Sequence, residues 1–265
     1  MDCLNLGSYN YLGFAETTGP ITDSVAESIA KYGVAMGGSR MEGSNAEVVE
    51  ELEKCIAKFV QKPAALVIGM GYATNSTSIP ALCGGKGTLI ISDSLNHNSI
   101  VAGARDSGSR IVVFKHNDTE DLENVVRESI IRGQPRTHRP WKKITIIVEG
   151  IYSMEGEIAK LKEIVEIKKK YKCYLYVDEA HSIGALGKTG RGVCEQTGVN
   201  PDDIDVLMGT FTKAFGSVGG YLAGSVDIVQ YLRSTSYGSV YSASMSPPCA
   251  QQALGMNSKI IIVCL

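Results

Sequence analysis

The chain has 265 residues, 44% of them hydrophobic and 20% charged, and a net charge of −2. That is enough apolar material for one large globular core, with no electrostatic reason to expect a nucleic-acid partner. Its seven cysteines are scattered and never spaced C-x-x-C, which argues against a zinc site or disulfide framework and for a reducing compartment. There is no basic-then-apolar leader and no apolar run near the ~18 residues of a membrane span, so the chain reads as soluble.

In chain order, residues 4–14 are an extended aromatic segment without helical period, in which Tyr9, Asn10 and Tyr11 are weak site candidates. A helix is expected over 22–32, followed by a glycine-rich loop at 33–40. That loop follows no strand and lacks the G-x-G-x-x-G form, so it is not a dinucleotide fingerprint. Apolar residues at 48, 49, 52, 56, 59 and 60 predict an amphipathic helix over 46–60. From residue 64 the pattern is regular. Strands are predicted at 64–68, 88–91, 111–114, 144–148, 173–177 and 205–208, with helices at 72–82, 97–106, 119–132 and 160–171. This βαβα order predicts an α/β fold, a mostly parallel sheet with helices on both faces. Residues 133–141 form a turn-rich connector carrying His138. The domain reading is an N-terminal segment and helices over 1–60, the large domain over 61–254, and a divergent tail over 255–265.

Chemistry concentrates at the predicted strand ends. Lys213 is the only charged residue between Asp205 and Asp227, flanked by phenylalanines and glycines. Such surroundings solvate an ammonium poorly and free the amine as a nucleophile; the alternative is a lysine stem covering apolar surface with its charge in water. A β-rich run ends on Asp178, with His181 three residues on. In open α/β sheets ligands bind beyond the carboxyl ends of the strands. A lysine, an aspartate and a histidine so placed suit pyridoxal 5′-phosphate (PLP), with Lys213 as Schiff-base lysine and Asp178 as partner of the pyridinium nitrogen. The strand–glycine turn–helix at 68–75 offers free N–H groups for a phosphate, through Gly71, Tyr72 and Asn75, or is a plain βα turn. Thr210 and Thr212 offer hydroxyls to the same group. His97 follows another strand, where a lone histidine is more often structural. Asp178-Glu-Ala-His181 also spells a helicase DEAH box, and Gly187-Lys-Thr189 mimics a P-loop end. The Walker pattern needs glycine at 182, where the chain has Ser182.

The runs VDEAHSIGALGKTGRG and MGTFTKAFGSVGGY resemble the α-oxoamine synthase family of PLP enzymes, most of all its branch that condenses serine with a long-chain acyl-CoA. The resemblance implies the large domain of the fold type I PLP-dependent transferases and a decarboxylating acyltransferase. It implies Lys213, His97 and Asp178 as catalytic residues. It also implies His97 stacking on the cofactor ring, His181 on its phenolic oxygen, Thr210 on its phosphate, and Ser153 in the same crevice. Family members act as homodimers or as heterodimers with a non-catalytic paralogue. Eukaryotic ones sit at the cytosolic face of the endoplasmic reticulum. A glycine-using sister reaction, or a chain that binds cofactor or a partner without turnover, stays open. The sequence departs from the family at Ser44, Asn45 and Val49, where relatives have a glycine–threonine pair and a histidine. It departs again at Ala243, where relatives carry threonine, which leaves Ser242 or Ser244 to reach a neighbour's phosphate. The likeness stops after residue 254, before the family's small C-terminal domain and its carboxylate-binding arginine, and the N-terminal membrane segment of eukaryotic relatives is likewise not expected here.

Overall fold

The computed structural model describes residues 7–263, with side chains as far as 255; the predicted features at residues 4–6 and 264–265 lie outside the described residues. Among the described residues the strands are, in chain order, β1 (Ala64–Ile68), β2 (Thr88–Asp93), β3 (Arg110–Phe114), β4 (Lys143–Glu149), β5 (Ile151–Tyr152), β6 (Glu157–Ile158), β7 (Tyr174–Asp178), β8 (Val206–Thr210) and β9 (Gly220–Gly224). The helices are α1 (Pro20–Tyr32), α2 (Glu47–Phe59), α3 (Gly71–Cys83), α4 (Asn98–Asp106), α5 (Thr119–Arg132), α6 (Leu161–Tyr171), α7 (Val193–Thr197), α8 (Val226–Thr235), α9 (Tyr237–Val240) and α10 (Pro247–Val263). Seven strands form one sheet in the order β1-β9-β8-β7-β4-β2-β3, parallel except for β9, which runs antiparallel to both neighbours. All six predicted strands and the helices between them are present, with ends shifted by one or two residues.

Both sheet faces are covered, which is why the central strands read as continuous apolar runs. All residues of β2, β8 and β9 are buried. Alternate residues serve two cores. Leu89, Ile91, Ile146, Val148, Leu175 and Val177 pack with α2, α5 and α6, while Ile90, Ile147, Tyr176 and Met208 pack with α3, α4 and α8. Val49 is fully buried in the first core, so this position, one of the expected departures, is an apolar contact of α2. The β5–β6 hairpin and β9 are additions to the predicted order. The turn over 211–219 is too short for a parallel crossover, so β9 returns antiparallel. Beyond residue 254 the backbone continues as helix to Val263, where the sequence suggested an abrupt tail.

Candidate active site

The parallel strands β1, β2, β4, β7 and β8 all end at one edge of the sheet, and their last residues converge there. A cavity of about 280 Å³ is lined by Gly71, Tyr72, Asn75, His97, Ser99, Glu149, Asp178, His181, Thr210, Thr212 and Lys213, among others. The structure thus brings together Lys213, Asp178, His181, His97, Gly71, Tyr72, Asn75 and Thr210, whereas Ser153 is exposed in the β5–β6 turn and neither it nor Tyr9, Asn10 and Tyr11 lines the cavity. Sequence reasoning missed Glu149 and Ser99. Glu149 closes β4 beside Asp178, a juxtaposition that strand register alone creates.

Lys213 is held in the turn after β8 by two buried phenylalanines, Phe211 and Phe215, whose rings meet edge-on at 5.5 Å. Gly216 closes the turn at φ +58, and a side chain there would lie 2.8 Å from the Ala15 backbone nitrogen. That close approach seats the N-terminal segment over the site: Lys213 Nζ lies 6.0 Å from the Tyr9 ring centroid. Burial lowers the Lys213 pKa, opposed by the charges of Asp178 and Glu149.

Asp178 is almost fully buried. Its Oδ2 accepts from Asn75 Nδ2 at 2.7 Å and its Oδ1 from the Ala180 N–H at 2.8 Å. Burial raises its pKa, and these two hydrogen bonds and Lys213 pull it back. The Asn75 amide is fully committed. It also donates to Ser99 Oγ (2.9 Å) and accepts from the Tyr176 hydroxyl (2.7 Å). The Asn75 side chain is thus the clamp on Asp178, while the phosphate expectation concerns the backbone N–H groups of this helix start. His97 caps α4, with its Nδ1 accepting from the Ser99 N–H at 3.2 Å and lying 2.8 Å from Ser99 Oγ. Tyr72 meets the His97 ring edge-on at 6.3 Å.

His181 Nδ1 lies 2.7 Å from the Tyr11 hydroxyl, and Tyr9 packs edge-on against its ring at 5.6 Å. Burial first, then Lys213 and His97, hold the His181 pKa down to about 4. Asn10 turns away and accepts from the Ala15 N–H. At the other end of the cavity, Gly71 opens α3. A Cβ there would sit 2.8 Å from Thr210 Oγ1 and 3.4 Å from the Gly219 carbonyl oxygen. The helix N-terminus has no side-chain cap, so its N–H groups, with the Thr210 and Thr212 hydroxyls 2.8 Å apart, form a cradle suited to a phosphate.

The helicase-like features have structural roles. Glu179 is buried and accepts from the Ser182 hydroxyl and the Val193 N–H, and Lys188 is exposed outside the cavity. Ser244 donates to Asn45 at 2.9 Å, and Ser39 bridges to Ala243, so the departing segments pack on one another. Ser242 is exposed.

An amine and a charge-clamped carboxylate lining one crevice, with an anion cradle beside them, define an α/β protein built to grip a phosphorylated aromatic ligand. The chain belongs to the aminotransferase class I and II family, whose model matches residues 1–260. It is 60% identical to serine palmitoyltransferase 2 of Dictyostelium discoideum, over 95% of this chain and 51% of that protein. It is 61% identical to long chain base biosynthesis protein 2c of Oryza sativa subsp. japonica, over 98% of this chain and 52% of that one. Among solved structures, serine palmitoyltransferase from S. paucimobilis with a bound PLP–myriocin aldimine matches with a TM-score of 0.88. That match has 34% identity and covers 97% of this chain and 62% of that one. The chain thus spans about half the length of the curated relatives it matches. No helix among the described residues is long and apolar enough to cross a membrane.

Proposed function

We propose that this chain carries the cofactor-binding part of a serine palmitoyltransferase, catalysing PLP-dependent decarboxylating condensation of L-serine with palmitoyl-CoA to 3-ketosphinganine. The observation that carries the reading is the convergence of Lys213, Asp178, His97 and the Gly71–Thr210 cradle on one cavity, in a chain about 60% identical to proteins of that name. Bound PLP supplies an electron sink for the serine α-carbon. Asp178, whose charged form Asn75 and the Ala180 N–H favour against burial, would pair with the ring nitrogen of the cofactor. Lys213, its basicity lowered by burial, would hold the cofactor through its amine and would serve as the base at the α-carbon. His97 donates from Nε2 to the substrate carboxylate, and the N–H groups of α3 with Thr210 bind the phosphate. Neutral His181 would partner the phenolic oxygen of the cofactor.

Met70 and Tyr72, 60% and 43% exposed, give the cavity an apolar rim. Such a surface supports a second subunit over the site, a copy of this chain or a paralogue without the lysine. Action at the cytosolic face of the endoplasmic reticulum belongs to the same reading and rests on the resemblance. Purified chain mixed with PLP should develop a visible absorbance band, absent in Lys213→Ala and shifted by L-serine. With palmitoyl-CoA and the partner subunit it should release the ketone. A chain that stays colourless, or a band that survives Lys213→Ala, overturns the reading.

A further inference from the structure

We propose that Glu149 holds a proton in the resting site, so that Glu149 and Asp178 together carry one negative charge, and that in this form it positions His97. The inference deepens the PLP reading and rests on it for the identity of the ligand.

The geometry is that of two carboxyl groups forced together. Glu149 and Asp178 are direct neighbours in the parallel register of β4 and β7, both are buried, and both line the cavity. Lys213 is the only lysine or arginine lining it among the described residues. His181 does not charge near neutral pH. Two buried carboxylates facing one ammonium leave a charge without a partner, and in a low-dielectric site one of them takes up a proton instead. The hydrogen bonds decide which. Asp178 accepts two, from Asn75 and from Ala180, whereas Glu149 accepts one, from the His97 N–H. The proton therefore belongs to Glu149.

The groups facing Glu149 agree with this assignment. Asp178 approaches from β7, and Asp93 ends β2 nearby. Tyr152 on β5 brings a hydroxyl that accepts from the Glu149 N–H at 3.1 Å. His97 on α4 contributes only its backbone N–H, and Lys213 alone offers a positive charge. Burial first and Asp178 second push the Glu149 carboxyl up to about 8. Bonded to the first N–H of the α4 cap, it fixes the entry of that helix and with it the His97 ring. Loss of its proton puts a second negative charge into a cavity meant for an anionic ligand.

The test uses pyridoxine 5′-phosphate, which has no aldehyde and so binds without Lys213 chemistry. Its Kd is measured at about pH 7 and about pH 9 for wild type, Glu149→Gln and Glu149→Asp. If binding needs the protonated form, the competent fraction falls from ~0.9 to ~0.1, and Kd rises about tenfold more in wild type than in Glu149→Gln. Glu149→Asp, which still titrates, should restore a pH dependence. Parallel pH responses in all three proteins overturn the proposal. Ligand-free melting separates it from the cofactor reading. Wild type should lose stability relative to Glu149→Gln between about pH 5 and about pH 9, whether or not any pyridoxine phosphate binds. Absence of that difference overturns the proton assignment, while absence of ligand binding overturns the PLP reading alone.

Discussion

Asn75 separates two accounts of the site, and Asn75→Leu is the perturbation that decides between them. Leucine nearly conserves volume, so the change reports lost polar contacts rather than a cavity. The wild-type amide satisfies Asp178 Oδ2, Ser99 Oγ and the Tyr176 hydroxyl, all within 2.9 Å. Tyr176 and Asp178 are both nearly inaccessible to solvent, so water does not readily replace the amide. Each buried group left without a partner costs ~1–3 kcal/mol, and relief of the asparagine's own desolvation offsets part of that. A net loss of about 3 kcal/mol follows, or roughly 6–12 °C in melting temperature for a chain of this size. The Asn75 hydrogen bond also does more than any other contact to oppose the rise that burial gives the Asp178 pKa. Without it the carboxyl shifts further toward its neutral form and no longer holds a protonated ring nitrogen. Urea denaturation of ligand-free protein and a PLP absorbance titration measure the two effects. The clamp account requires both to change. Stability within about 0.5 kcal/mol of wild type, with only cofactor affinity reduced, would show that Asn75 serves the phosphate instead, and would refute the network argument.

Three further outcomes follow from the same geometry. Gly71→Ala forces a methyl to within 2.8 Å of Thr210 Oγ1 and should weaken PLP binding at least ~10-fold, since one misplaced contact at a polar site is worth ~1.4 kcal/mol or more; unchanged affinity in the absorbance titration would remove the cradle. Glu53 is buried and binds Arg40 at 2.5 Å, Arg233 at 3.0 Å and the Val67 N–H at 2.8 Å. Glu53→Gln should therefore cost ~3–5 kcal/mol by urea denaturation, while Glu47→Gln, in an exposed pair with Lys31, should cost under ~1 kcal/mol. Burial holds Glu179 up to about 7, above its unfolded value. Its contribution is thus complete below about pH 4.5 and is lost as pH rises through about 7, roughly 3 kcal/mol at most. The ligand-free melting temperature should fall across that window, and a rise would contradict the assignment.

Much of this protein is set by sequence alone. Strands covered on both faces must be apolar throughout, so β2, β4 and β8 are legible as short runs bounded by polar turns, and their alternation with helical periods dictates a parallel sheet. Parallel strands share one carboxyl edge, which is why Lys213, Asp178, His97 and Gly71, each just past a strand, could be grouped before any coordinates. The edge strand β3 is legible despite its exposed Val113 because β-branched residues dominate it. The tertiary structure decided what depends on contacts between strands distant in sequence. The reversal of β9 follows from the short turn that must also seat Phe211 and Phe215. The commitment of Asn75 to Asp178, 103 residues away, and the pairing of Glu149 with Asp178 through register leave no local signature. Ser153 lies in a hairpin turn outside the cavity for the same reason. Periodicity encodes which face of an element is buried, but hydrogen-bond partners and shared charge arise only when separate strand ends are brought within a few ångströms of each other.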